Sequence, residues 1–474
     1  MRMGLIAILS RPVIDRSRGR RWVAGLLAAS LLVGLSIVPA SSQSVQQTEV
    51  LVLGGSPAGV AAALAAARQG RLVILVEPRP YLGTVITGSM LNMWDLNLDP
   101  QHESTTRGIF GELYQGLRGL TFDPMTARQL LREKVAAEPR ITLYLQTRIV
   151  RPVLNDQGVI GAVIENASGT RGVRAGVTID ATDDADVGAA GGVEYTIGRE
   201  TSGIDRAMQP ATLMFRLRDV DWPGLVRYIV DEEKPLHLGG VNQGYVWGLS
   251  PIVRRYRSDD PGIRAYDLNI GRMPDGTAWI NSLQIFDVDG TNEASRRDAY
   301  ARTKLAIPAF IEFLRAKVPG FERATLVEIA PQLYIRETRH IRGLYILTAL
   351  DIQSARRFWD RIAVASYPID IHPYRPDEFS PFRAVRRVYS LPLRSLIPEK
   401  VDGLFVASRS FSATYQAAGS ARIVPTTIAL GEAAGVAASV CVENKISPHR
   451  LIQQLALVTL VQQRLQRAGA RINP

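Results

Sequence analysis

The chain has 474 residues, 46% hydrophobic and 21% charged, a globular composition with ample length for a large core. Its net charge of +11 is concentrated at one end, because six arginines and one aspartate in residues 1–40 give +5 and leave +6 for the rest. The body carries no Lys/Arg block with interleaved aromatics, which argues against nucleic-acid binding and for a neutral-to-basic enzyme.

Arg16, Arg18, Arg20 and Arg21 precede an uncharged stretch from Trp22 to Val38, and Val38-Pro39-Ala40 offers small residues for cleavage. That layout predicts a signal peptide over residues 1–40 and export to the periplasm or beyond the cell. The apolar stretch sits at the short limit for spanning a bilayer, so an uncleaved membrane anchor is the other reading. Arg20-Arg21-Trp22-Val23 loosely resembles a twin-arginine signal, a route suited to proteins that fold around a cofactor before crossing. Cys441 is the only cysteine. This excludes an internal disulfide and an iron–sulfur cluster, and in GVAASVCVEN it reads as a core residue.

The stretch Val50 to Arg79 carries the strongest signal. A run of β-formers feeds into Gly54-Gly55-Ser56-Pro57-Ala58-Gly59, an alanine-rich helix follows and stops at Gly70, and a second apolar strand ends at Glu77-Pro78. A pyrophosphate is well held by free N–H groups at such a helix start, where the helix dipole favours negative charge. Gly54 permits the tight turn and Gly59 the close packing of helix on sheet. Ser56 stands where glycine is usual, and its small hydroxyl is a possible donor to the phosphate. Glu77 lies near the offset expected of an acid on a ribose 2′-OH.

A Gly-punctuated stretch (YLGTVITGSM) and a polar segment to about Thr106 come next. A helix is predicted from about Pro124 to Ala137, with Asp123 as its cap. From Ile141 to Asp180, short β-rich runs separated by turn residues predict a small antiparallel meander. Residues 201–395 hold mixed β-like and helical runs, including a helix of about 15 residues from Asp298, and read as a substrate or cap domain. VDGLFVAS is a buried strand by composition, Pro425 to Val440 an apolar Ala/Gly-rich helix, and Ser447-Pro448 opens a final amphipathic helix. The predicted organisation is a dinucleotide-binding domain split between residues 47–200 and 396–474, with the cap inserted between its parts.

GLFVASRSFSATYQAAGSARIVPTTIALGEAAGVAA and VTIDATDDADVGAAGG together resemble the bacterial FAD-dependent oxidoreductase family of the glutathione-reductase-like flavoprotein superfamily. YIRETRHIRGLYILTALDI and YSLPLRSLIPEKVDGLFVASR resemble its internal signatures. The resemblance implies an α/β fold: a Rossmann-like FAD-binding domain with parallel sheet and small meander, and an inserted mixed α+β substrate domain. It places Gly54, Gly55, Ser56, Ala58 and Gly59 on the FAD pyrophosphate and Glu77, with Pro78, at the adenosine ribose. Gly83 and Thr84 match a Gly-Gly pair beside the phosphates. Ala181, Thr182 and Asp183 match an Ala-Thr-Gly stretch near the cofactor. Arg409 falls where many relatives carry the aspartate of the ribityl chain. Arg422 and the stretch Pro425, Thr426, Gly431, Ala434 match the segment passing the isoalloxazine ring. A helix start there would favour the negative charge of a reduced flavin. His102, the only histidine near the first loop, lies in polar sequence, so non-covalent FAD is expected.

For the proton chemistry, His372 stands out in YPIDIHPYRP, flanked by Asp370 and Tyr374. A group titrating near neutrality beside a carboxylate and a phenol can act as general base; a structural histidine before Pro373 is the other reading. Arg336, Thr338 and His340 would share one face of a strand and present a cation to substrate. Alternatively, Arg336, Glu337 and Arg339 form a salt-bridge lattice. HExxH, GxSxG, CxxC and P-loop patterns are absent from the sequence, and no metal is expected. The expected activity is dehydrogenation or oxidation of a small organic molecule by hydride transfer to flavin N5, with oxygen or a quinone-like acceptor. A flavin-dependent lyase or isomerase acting on a sugar or uronate is the alternative.

Overall fold

Residues 46–53 form strand β1, whose last four residues are buried. Helix α1 (Pro57–Arg68) starts on a Ser56 cap with proline in its first turn, the arrangement that satisfies an N-terminal N–H and pre-sets the first φ. Strand β2 (Val73–Val76) returns parallel to β1. Asp123 caps the helix Pro124–Ala136, as its position predicts. This computed structural model describes residues 45–378, 383–385 and 387–474; the leader read over residues 1–40 lies outside them.

The meander differs from expectation in its first run. Strand β3 (Ile141–Tyr144) adds parallel to β2, so it extends the parallel sheet. Strands β4 (Arg148–Asn155), β5 (Gly158–Asn166) and β6 (Gly169–Asp180) are the antiparallel part. The twelve-residue β6 is long enough to do two jobs, pairing with β5 at its start and parallel to β1 towards its end. The resulting seven-stranded sheet runs β3-β2-β1-β6-β5-β4, and the strand Leu404–Val406 joins β6 in parallel. Register decides what this sheet can hold. Leu53 aligns with Val76 and with Asp180, and Asp180 aligns with Val406. Four parallel strands therefore end at one level, and the loops from Gly54, Glu77, Ala181 and Ala407 leave side by side.

A second seven-stranded sheet is wholly antiparallel. In order it contains Gly240–Asn242, Tyr245–Gly248, Ile263–Arg272, Ala278–Ile285, Phe215–Arg218 and Thr325–Ile329, with Ala211–Thr212 beside Ala278–Ile285. Both sheets lie in one compact unit, Gln43–Pro474, and the mixed α/β class agrees with the sequence reading. The helix expected from Asp298 begins earlier and runs Glu293–Lys317. Asn292 caps it through Ala294 and Ser295 N–H, and Pro308 does not end it.

The late apolar helix is Val424–Asn444. It is long and apolar enough to cross a membrane, but 89% of its most apolar window is buried inside the protein, so it is a core helix. Its small face lies on α1. A Cβ on Gly431 would stand 2.0 Å from the Ala58 carbonyl oxygen, and one on Gly435 2.3 Å from that of Ala62. The two helices approach to backbone contact, which only glycine allows. Cys441 is wholly buried there, and burial pushes its thiol far above its ordinary range. The final amphipathic stretch is two helices, Pro448–Ile452 and Leu455–Arg467.

Candidate active site

The loop after β1 is shaped by contacts that exclude side chains. Gly54 has φ +104°, and a Cβ there would fall 2.5 Å from Ala181 O and Thr182 N. A Cβ on Gly59 would fall 1.9 Å from Gly54 O. The turn thus presses the start of α1 against the end of β6, and Ala58 N–H meets no acceptor among the described residues. Ser56 acts differently from the sequence reading. Its hydroxyl donates to Ala181 O (2.8 Å) and accepts from Gly59 N–H (3.2 Å), so it fastens the loop to β6.

Glu77 is buried, and its carboxylate already accepts Gly55 N–H (2.7 Å), Arg79 N–H (2.9 Å) and the Arg79 guanidinium (3.0 Å). Burial, opposed by Arg79, raises its pKa. Its acid therefore braces the glycine turn. A cleft of about 370 Å³ follows these loops, lined by Gly54, Ser56, Glu77, Pro78, Thr84 and Ala181 to Asp183. Gly83 sits just behind it, with φ +92° and a hydrogen bond to Gly55 O.

A narrower passage of about 30 Å³ continues from Ser56 and Asp183 between Ala58, Arg409, Arg422 and Thr427. Arg409 pairs with Asp184 (2.6 Å), which also accepts the Thr338 hydroxyl (2.6 Å). Thr427 lines the passage at the start of the late helix. Thr426 turns inward, where its hydroxyl accepts from Asn97 (2.8 Å). Pro425 and Ala434 are buried, and Ala434 lines none of the clefts described. A side cleft of about 480 Å³ opens between Arg79, Asp183, Arg296 and Arg409.

Beyond the passage lies a cavity of about 530 Å³ that shares Tyr334, Arg336 and Arg422 with it. Arg336 and His372 reach this cavity; Tyr374 does not, packing against Tyr415 (6.0 Å) and under Arg199 (4.6 Å). Arg336 is buried, donating to Pro210 O and Thr212 Oγ1 (both 2.8 Å), with Asn281 Oδ1 at 3.4 Å. His340 is not on its face of a strand. It is buried elsewhere against Glu337 (3.0 Å), because the strand is only Arg339–Ile341. Of the expected lattice only Arg339 makes a salt bridge to a neighbouring segment, with Asp186 (2.7 Å). His102 is exposed on a turn.

His372 is fixed on two sides. Its backbone N–H donates to Gln209 Oε1 (3.1 Å), its ring Nδ1 lies 2.6 Å from the Gln284 amide nitrogen, and its Nε2 lies 3.6 Å from Asp370. Burial, then the charges of Arg336 and Arg422, hold its pKa well below the ordinary histidine range, so the ring is neutral at physiological pH. Three further groups escaped the sequence reading as site residues: Asp95, Asp267 and Tyr245 line the same cavity. Burial and the nearby Asp370 push both Asp95 and Asp267 up to about 6. The alternation Tyr245-Val246-Trp247 and Asp267-Leu268-Asn269, polar or amphipathic residues on one strand face, was the available signal.

Three buried polar atoms on this path lack partners among the described residues: Thr84 Oγ1 in the first cleft, and Arg409 Nε and Arg422 Nε in the passage. Buried polar groups are ordinarily paired, so each calls for a ligand group. A trench leaves a glycine turn at a helix start, passes half-buried Arg409 and buried Arg422, and opens into a polar cavity. Such a trench fits a dinucleotide with its reactive ring at the far end.

Residues 49–465 match the family described as FAD dependent oxidoreductase. The chain belongs to that family. Its cofactor is FAD, and it is an enzyme. The chain is similar to digeranylgeranylglycerophospholipid reductase from Methanosphaerula palustris, 28% identical over 224 residues, which cover 42% of this chain and 51% of that protein. A second enzyme of that name, from Methanospirillum hungatei, is also 28% identical, over 43% of this chain and 52% of its own length. The chain thus spans about half the length of these relatives. Among solved structures, a geranylgeranyl bacteriochlorophyll reductase-like protein from Thermoplasma acidophilum aligns over 90% of this chain and 84% of its own, with TM-score 0.46 and 13% identity. The myxobacterial chondrochloren halogenase aligns over the same shares, with TM-score 0.42 and 12% identity.

Proposed function

We propose that this flavoprotein is a dehydrogenase or oxidase acting on a small organic substrate in the 530 Å³ cavity. The observation that carries the reading is the continuity of trench and cavity through shared walls of Tyr334, Arg336 and Arg422. Gly54 to Gly59, Thr84 and Ala181 to Asp183 would hold the diphosphate, with Glu77 and Pro78 on the adenosine side. Arg409, Arg422 and Thr427 would flank the reactive end. Bound FAD, held without a covalent link, supplies a two-electron acceptor for a substrate hydride.

His372 then takes the hydroxyl proton. With the Gln284 amide turned so that its oxygen accepts Nδ1–H, the Nε2 lone pair faces the cavity. Its neutrality keeps it ready as a base, and Asp370 at 3.6 Å stabilises the imidazolium that forms. Arg336 and Arg422, held by other bonds, bring fixed positive charge to the oxygen that loses its proton. Export by the leader, and reoxidation by oxygen or a quinone-like acceptor, complete the proposal.

Anaerobic mixing of the FAD-loaded protein with candidate substrates tests it. Substrate should bleach the flavin band, and His372→Ala should keep its FAD yet lose about 10²-fold or more in bleaching rate. Turnover without bleaching, or an unchanged rate in that variant, would overturn the reading.

A further inference from the structure

The floor of the cavity is one face of the second sheet, and its register groups the side chains. Trp247 is paired with Asn269, and Asn269 with Asn281, so an indole and two amides form one row across three strands. Asn242 pairs with Tyr245 in the adjacent row. The indole of Trp247 lies against the backbone of Gly240, where a Cβ would stand 2.3 Å from the ring, yet the residue is 38% exposed and lines the cavity. The ring also packs against that of Tyr245 (5.3 Å between centroids, 36° between planes), and what remains exposed is open to the cavity. Asp267 stands two residues before Asn269, at the irregularity between Ala265 and Asn269 that bends the strand.

We propose that this cavity binds a neutral polyhydroxylated ring, a sugar or glycoside unit, laid on Trp247 with its hydroxyls towards Asp95, Asp267, Asn269 and Asn281. The inference rests on the oxidoreductase reading above and names its substrate class. Charge on the walls excludes the main rivals. Asp95 and Asp267 have no cation within 4.0 Å among the described residues, and Asp370 lies between His372 and Arg422. An anionic substrate would meet three carboxyls. Arg336 donates to Pro210, Thr212 and Asn281, and Arg422 to Tyr334 and Asp370 O, so the Arg422 donor left without a partner is Nε, in the passage. An ammonium would meet those two arginines. An isoprenoid chain would bury all three carboxyls and the amides without replacing their water, at heavy cost.

Asn269 Oδ1 already accepts from Tyr245 (2.6 Å) and Asn281 Oδ1 from Arg336 (3.4 Å), which leaves amide N–H groups and carboxyl oxygens for a ligand. Vicinal hydroxyls suit both, because each hydroxyl both donates and accepts. Asp95 and Asp267, poised near 6, present both roles as well. Leu91, Met93 and Leu96 line the cavity too and suit the C–H face of a sugar ring.

The test uses the FAD-loaded protein with methyl β-D-glucoside and cellobiose against D-glucuronate, benzylamine and geranylgeraniol. Binding is read by tryptophan fluorescence and calorimetry, and reduction by anaerobic bleaching. A neutral sugar should bind, and Trp247→Ala and Asp267→Asn should each weaken it about tenfold or more with FAD content unchanged. Sugar binding without bleaching would support the substrate class while removing the redox reading. Preferential binding and bleaching by glucuronate, benzylamine or geranylgeraniol would overturn the class and leave the redox reading standing. Failure of both neutral sugars to bind at their solubility limit would also overturn it.

Discussion

Gly59→Ala adds a single methyl group at the tightest point of the cofactor trench. The new Cβ would stand 1.9 Å from Gly54 O and 3.0 Å from the Ala181 Cβ. An ordinary carbon–oxygen contact is roughly 3.3 Å, so the first turn of α1 must retreat by more than about 1 Å from the β1 turn. Neither neighbour can rotate away, since one is backbone and the other a methyl on the residue that follows β6. Overpacking of this kind costs about 1–3 kcal/mol even where side chains can yield, and here the upper end applies. The displacement also breaks the Ser56 cap on Gly59 N–H, worth about 1 kcal/mol. FAD affinity of the refolded apoprotein should fall by about 10²-fold or more, since 1.4 kcal/mol is a factor of ten. Flavin fluorescence quenching measures it. Gly111→Ala is the control: that helical glycine has nothing within 4 Å of a Cβ, so the same change should leave FAD binding alone and add up to about 1 kcal/mol of helix stability. Equal FAD affinity in Gly59→Ala and the parent protein would refute the placement of the diphosphate at this turn.

Two further changes separate the roles of charge along the path. Arg409→Met removes the cation 2.6 Å from buried Asp184 and leaves it only Arg296 at 3.9 Å and the Thr338 hydroxyl, so it should destabilise the protein by up to about 3 kcal/mol. Adding Asp184→Asn should restore most of the melting temperature; no recovery in the double variant would show that the pair is not the cause. Asp267→Asn should act with the opposite sign. A carboxyl whose pKa is raised to about 6 in the folded state favours folding below its ordinary range, and that advantage is lost as pH rises through about 6. The amide variant should therefore match the parent near pH 3.5 and exceed it above pH 6, by at most about 3 kcal/mol at 1.36 kcal/mol per unit. Chemical denaturation across that window checks it, and a variant less stable at pH 7.5 would contradict the stated cause.

The proposed cofactor half of the site was legible because it is built from backbone. Gly54, Gly59, Gly431 and Gly435 each sit where a Cβ would collide with a carbonyl, and glycine spacing in a strand–turn–helix unit is visible in one dimension. The substrate half is built from side chains that meet only through register. Trp247, Asn269 and Asn281 share a row because two hairpins align them, and pairing register cannot be read from composition. His340 shows the same limit: alternation placed it with Arg336, but the strand begins at Arg339 and breaks the alternation. Tyr374, two residues from His372, lies outside the cavity because the backbone turns after Pro373.

The same contrast explains how one chain serves two demands. The parallel sheet ends four strands at one level, and helix contacts at Gly431 and Gly435 fix α1 so that the diphosphate loop has a single shape. A side chain at Gly54, Gly59, Gly431 or Gly435 would displace backbone, so variation at these positions should cost the proposed diphosphate loop its shape. The antiparallel sheet presents alternating side chains on a hydrogen-bonded ladder whose pairing does not use them. Exchange of Trp247, Asp267 or Asn269 should therefore leave the loops proposed to hold FAD undisturbed. On the proposed assignment, substrate choice is free to vary on one sheet while the electron acceptor is held by the other, and Arg336, Arg422 and Tyr334 are the walls where the two must agree.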